Sequence, residues 1–190
     1  MAKTRLFMSS DALQQLRGWI YLMQQIHEAK YYVDRAGELG HPEQFQTLKG
    51  MLEFLVYFRG ALNSYAKCFV SSGIGKRKLE SPRVFEAKPE YVDQHSKIMD
   101  LRHKYVAHSD DNEFENSSLA TTDTDSELVI ALQYNFSFPF DRLYELRDLI
   151  GHLTAYVVDS HAKHIEAIQK TIGKPVRIRQ GEPSAQTDCA

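Results

Sequence analysis

The sequence lacks the features that mark several large classes of protein. It has two cysteines, Cys68 and Cys189, far apart and without a Cys-x-x-Cys pair. A disulfide scaffold and a cysteine-rich zinc module are therefore excluded. Cys68 falls inside an apolar helical run, where a buried, reduced thiol is expected. A reducing cytoplasm fits that usage. No stretch approaches 18 uninterrupted apolar residues, so no membrane-spanning helix is expected. The first residues, Met1-Ala2-Lys3-Thr4-Arg5-Leu6-Phe7-Met8, have no apolar signal core. Neither sign of charge prevails, with 23 basic residues against 25 acidic ones. Any contact with a nucleic acid must then come from local patches.

Catalytic signatures are also scarce. There is no internal repeat, Gly-x-Ser-x-Gly, His-Glu-x-x-His or dinucleotide-binding fingerprint. Gly73-Ile74-Gly75-Lys76 is not a phosphate loop, because its glycines lack the four residues between them and no Ser or Thr follows the Lys. His161 and His164 sit one turn apart, but no third ligand stands at suitable spacing. No metal and no cofactor are expected.

What is present is helical periodicity. The 190 residues suffice for one domain with a real core. We expect an all-α fold, an antiparallel bundle of about four long helices, with a short β-element before the last helix. The domain should cover residues 1–172, with a mobile tail over 173–190.

The first helix is expected over 11–39, capped by Ser9 or Ser10, with Leu13, Leu16, Ile20 and Met23 facing the core. His27 continues that line as an interior His. The second is expected over 43–72. Its seam is Phe45, Leu48, Leu52, Leu55, Arg59, Leu62, Ala66 and Phe69. Arg59 stands in mid-seam, with Asn63 one turn on. Either Arg59 meets a partner, a cleft or an interface, or the seam runs through Phe58 and Arg59 reaches outward. Arg59 and Asn63 are second-tier site candidates.

A flexible basic loop follows. Residues 73–88 hold Lys76, Arg77, Lys78, Arg83 and Lys88 against Glu80 and Glu86. Lys76, Arg77 and Lys78 are candidate contacts for an RNA backbone, although a solvated loop is the plainer reading. Pro89 opens the third helix, which should end near Ser109. Residues 110–127 carry seven acidic residues and no basic one, and are expected as an exposed loop. The apolar, β-branched run 128–138 suits one extended segment or a small hairpin. Pro139 can open the last helix, running to about residue 169, with Leu143, Leu146, Ile150, Leu153 and Val157 inward.

The third helix ends in Leu101-Arg102-His103-Lys104-Tyr105-Val106-Ala107-His108-Ser109-Asp110. These residues suit RNA cleavage. A 2′-hydroxyl attacks the neighbouring phosphate, and an imidazole titrating near neutral pH can take its proton. A guanidinium, always charged, grips the phosphate as negative charge grows. The chemistry needs no metal. On an ideal helix Arg102 and His108 lie about 120° apart, so they converge only if the helix breaks near His108 or a second subunit supplies half of the site. The plainer reading pairs Arg102 with a carboxylate and leaves His108 as a helix C-terminal His favoured by the macrodipole.

The spacing Arg102-His103-(four residues)-His108 resembles the Arg-polar-x4–6-His signature of the HEPN superfamily, all-helical proteins that often act as metal-independent ribonucleases. The wording of 101–110 is also similar to that of HEPN proteins associated with abortive infection. The likeness of fold covers roughly residues 10–169. The resemblance implies a cytoplasmic RNA endonuclease of toxin or antiviral-defence type, with 2′,3′-cyclic phosphate products. It also implies two motifs meeting in a homodimer, and an antitoxin or defence-system partner. Arg102 would be the transition-state clamp, His108 the general base and His103 the polar assistant, with Lys104 a further RNA contact. In HEPN toxins paired with small nucleotidyltransferases, a Tyr follows the motif His by two positions. Asp110 stands there in this chain, so inactivation by nucleotide transfer at that position is not expected. The alternatives are a non-catalytic HEPN-like module that binds RNA or nucleotides or dimerises, and a helical interaction protein with no nucleic-acid partner.

Overall fold

The computed structural model describes residues 10–41, 44, 45, 47–70, 73, 76–106, 115–136 and 140–178. Among these residues, five helices and one hairpin follow in chain order: α1 (Ser10–Glu38), α2 (Leu48–Ala66), α3 (Ser81–Val84), α4 (Glu90–Val106), β1 (Glu115–Asp123), β2 (Leu128–Phe136) and α5 (Asp141–Ile172). The architecture is the expected helical bundle with a two-stranded β-element before the last long helix.

Packing partners set the arrangement. α1 packs on α2 and α5, and α4 packs on the same two helices. The four helices thus form a ring in the order α1, α2, α4, α5, with α1 and α4 on one diagonal. α1 and α2 run antiparallel, since Glu28 meets Ser64 at 3.4 Å and Tyr31 meets Tyr57 with ring centroids 6.5 Å apart. α1 and α5 are antiparallel too. Arg147 reaches Asp34 at 3.4 Å at one end, and His164 lies 3.5 Å from the Ala12 carbonyl at the other. Thr47 caps α2 by accepting from the Gly50 N–H at 3.2 Å. Gly173, at φ 66°, closes α5 in the left-handed conformation that glycine adopts at little cost. Among the described residues no helix is long and apolar enough to cross a membrane.

The core of α5 is the seam read from sequence: Leu143, Leu146, Ile150, Leu153 and Val157 are all buried. α1 differs. Its buried line is Trp19, Leu22, Ile26, Ala29, Val33 and Ala36, while Leu13 and Ile20 are exposed, as is His27. Small alanines, poor as hydrophobic signals, fill two places in that buried line. In α2 the core passes through Phe54, Phe58, Ala61 and Tyr65, joined by Leu55 and Leu62, and Leu48 and Leu52 are exposed. Arg59 lies beside that line, half-buried, as does Asn63.

Two stretches expected as loops are ordered. Within 73–88, Leu79, Val84 and Phe85 are buried and α3 forms, so this basic segment is anchored by its own apolar side chains. Within 110–127, residues 115–123 form β1, paired in regular antiparallel register with β2, as in Leu119 opposite Leu132 and Thr121 opposite Ile130. β-Branched threonines favour the strand, and the Thr124 hydroxyl closes the tip by accepting from the Glu127 N–H at 3.1 Å. The expected ends of the second and third helices at 72 and 109, the opening Pro139 and the tail over 179–190 lie outside the described residues.

The close approach of α1 and α2 gives a paired prediction. A Cβ on Gly60 would stand 2.9 Å from the Tyr32 ring, whereas a Cβ on Gly151 in α5 would meet nothing within 4 Å. Gly151→Ala should raise unfolding free energy by about 0.5–1 kcal/mol. Gly60→Ala should lower it by about 1–3 kcal/mol, because overpacking outweighs the same helical gain. Urea titration of both variants checks the opposite signs.

Candidate functional site

α4 carries the motif, and a cluster of rings fixes it in place. Its first turn holds Glu90 and Asp93, suited to the positive end of a helix. Ile98 and Leu101 are buried in the chain's own core. His95 lies in the middle of α4, 2.8 Å from the Tyr65 hydroxyl of α2 through Nδ1. The rings of Phe69 and Phe85 stand 4.4 Å and 5.3 Å from it. Burial among them pulls the His95 pKa down to about 4 and pushes the Tyr65 phenol well above its ordinary value. His95 is therefore neutral at pH 7. From α5, His152 joins the same cluster, 2.8 Å from the Val84 carbonyl through Nε2 and 5.3 Å from the Tyr91 ring.

Two turns of helix carry the chain from His95 to Arg102. Arg102 is half-buried there, and its Nε is shielded from solvent with no hydrogen-bond partner among the described residues. A guanidinium N–H in that state is costly unless something accepts from it. His103 and Lys104, next in sequence, are exposed. Tyr105 and Val106 complete the helix, and their side chains lie outside the described residues, as does all of His108.

The second group of candidate cations is held elsewhere. The Arg77 guanidinium lies over the Trp19 ring at 4.0 Å from its centroid, and the Lys76 ammonium over the Tyr21 ring at 5.1 Å. Gly18 permits the contact, since a Cβ there would stand 2.8 Å from the Arg77 Cβ. Burial against α1 lowers the Arg77 pKa from its ordinary value. Gln14, Gln15, Gly18, Lys76 and Arg77 line an open cleft of about 220 Å³. Lys78 pairs with Glu80 at 3.6 Å.

The candidates therefore form separate groups. Arg102, His103 and Lys104 follow one another on α4. Lys76 and Arg77 rest on α1, which lies diagonally across the bundle from α4. Arg59 and Asn63 sit one turn apart on α2. The aromatic supports of Lys76 and Arg77 escape sequence reasoning, because no local pattern joins residues 19 and 21 to residues 76 and 77. Chemically, the α4 end offers a half-buried guanidinium with an exposed imidazole and ammonium next in sequence, a set suited to gripping a phosphodiester. No family model, no curated protein and no solved structure matches this chain.

The ring cluster predicts a pH dependence of stability. A His held at about pKa 4 when folded, against an ordinary value of 6.5, binds its proton first in the unfolded state as pH falls. Its contribution is fully present above pH 6.5, declines as pH drops toward 4, and is absent below that. Urea titrations across this window should show wild-type stability falling. His95→Leu should show a shallower fall from a lower starting value, since the buried Tyr65 hydroxyl loses its partner at a cost of about 1–3 kcal/mol. An unchanged slope in His95→Leu would assign the acid sensitivity to other groups.

Proposed function

We propose that this chain is a metal-independent RNA endonuclease of HEPN type, working as a homodimer in a reducing cytoplasm, in a toxin or antiviral-defence role. One observation carries the reading: Arg102, in the motif position of the clamp, is held half-buried at the end of a firmly anchored helix. Its Nε awaits an acceptor among the described residues, and His103 and Lys104 stand exposed beside it. Half-burial narrows the rotamers open to Arg102, so less side-chain entropy is lost when it meets the charge that gathers on the phosphate in the transition state.

The reaction follows from the groups. His108 takes the proton of the 2′-hydroxyl as the 2′ oxygen bonds to phosphorus. The bond from phosphorus to the 5′ oxygen then breaks, leaving a 2′,3′-cyclic phosphate, and the departing oxygen takes a proton from water, with His103 assisting, to become a 5′-hydroxyl. Arg102 stabilises the charge gathering on the phosphoryl oxygens. Lys104, and the cations of the 76–78 segment, hold flanking backbone phosphates.

The test is substitution. Arg102→Ala and His108→Ala should each reduce the rate of RNA cleavage by about 10²–10⁴-fold. Circular dichroism and RNA affinity should stay close to wild type, because both residues act on the transition state more than on binding. Wild-type protein that binds RNA but never cuts it would favour the non-catalytic binding module. Cleavage that survives loss of His108 would contradict the mechanism.

A further inference from the structure

Two apolar faces stand exposed. The first belongs to the hairpin. In its register Leu119 pairs with Leu132, Thr121 with Ile130 and Asp123 with Leu128. Directly opposed residues share a face, as do alternate residues along a strand. Leu119, Leu128, Ile130 and Leu132 therefore lie together, and each is 51% to 69% exposed. The second face is a stripe on α2, where Leu48, Leu52 and Val56 follow at four-residue steps and are 47% to 63% exposed. Phe140, at the start of α5, lies with its ring 6.1 Å from Phe54 and 4.2 Å from His41. Only four Cα steps, at most about 15 Å, join Phe136 at the end of β2 to Phe140. The hairpin thus leaves the bundle beside the first turns of α2.

We propose that a second copy of this chain covers both faces, the hairpin of each copy lying over the α2 stripe of the other. A two-stranded hairpin is marginal in water by itself, so its apolar face calls for a cover. Area favours exchange. Nine-residue strands give each hairpin face about 300 Å². Two hairpins stacked on each other would bury about 600 Å² in total, half of what a stable interface needs. Exchanged hairpins make two equivalent contacts and bury up to about 1,200 Å², within the stable range, and a two-fold axis generates such a pair. Charge is complementary. Asp123, Asp125 and Glu127 crowd the hairpin tip, and 115–136 contains no basic residue. The first turn of α2 has no acidic residue, offers exposed Lys49, and carries the positive end of the helix dipole.

This surface stands apart from the nuclease reading, which needs two copies but not this contact, so a failure to cleave RNA leaves it intact. Its test is assembly of the full chain with Cys189→Ser as background. Wild type should scatter light as a dimer at micromolar concentration. Ile130→Asp should weaken self-association about 100-fold through the cost of desolvating an unpaired carboxylate, with helical circular dichroism unchanged. Val56→Cys and Ile130→Cys chains, mixed and oxidised, should form a disulfide between copies that neither forms with itself. A monomeric wild type, a dimer indifferent to Ile130→Asp, or a Val56→Cys/Ile130→Cys double variant that closes within a single dilute chain would each overturn the proposal. The last outcome would show the hairpin folded onto its own α2.

Discussion

The contact on which the structure turns is the one between the Tyr65 hydroxyl and His95 Nδ1, 2.8 Å apart inside a cage of Phe69 and Phe85. A buried polar pair of this kind gains little over water but is costly to break, so it selects one arrangement of α2 against α4. Phe85, from the segment after α3, and His152, from α5, complete the cluster, with their rings 5.7 Å apart. One group of side chains thereby ties together four elements. Cys68 sits beside it, its Sγ 3.7 Å from the Ser64 carbonyl, and burial pushes its thiol up to about 12. A thiol in that state is inert packing. The anchoring of α4 also turns Ile98 and Leu101 inward, with Arg102 half-buried and His103 and Lys104 exposed after them.

Net balance of charge conceals local order. Arg102 and Lys104 lie at the C-terminal end of α4 and three cations in the 76–78 segment, while Asp123, Asp125 and Glu127 are the charges at the hairpin tip. Holding Lys76 and Arg77 flat against Tyr21 and Trp19 orients them and sets part of their charge against ring faces. Their attachment to α1 puts them on the bundle diagonal from the motif helix. On the nuclease reading, a strand cut at the end of α4 would meet these cations only by running around the bundle or by lying across a second copy. The exchanged hairpins would bring the acidic tips of the pair toward the positive ends of α2, and so keep them out of an RNA path.

Legibility in the sequence differed by element for physical reasons. α5 could be read position by position because its core face is made of large aliphatic residues, and all five of them are buried. α1 could not. Its true seam uses Ala29 and Ala36, which pack closely but carry little hydrophobic signal, and the more obvious line of Leu13 and Ile20 lies open. In α2 Phe58 is fully buried, but so are Leu55, Leu62 and Ala66 of the seam that runs through Arg59, and the half-buried Arg59 stands at the edge between the two lines. The acidic stretch hid β1, because strand formation there depends on a partner strand that local composition does not announce. In the candidate site, Arg102 was legible from its motif, but the shielding of its Nε was not. The stacking of Arg77 on Trp19 joins residues 58 positions apart, beyond any local pattern.

The proposal that Arg102 and His108 direct attack by an RNA's own 2′-hydroxyl is tested most directly by comparing, in EDTA, cleavage of an RNA with cleavage of the same strand bearing a single 2′-deoxy residue at the cut position. The all-ribose strand should be cut with a 2′,3′-cyclic phosphate end, and the substituted strand should resist at that one position while other sites are cut as before. Cleavage at the deoxy position, or cleavage that EDTA abolishes, would contradict it.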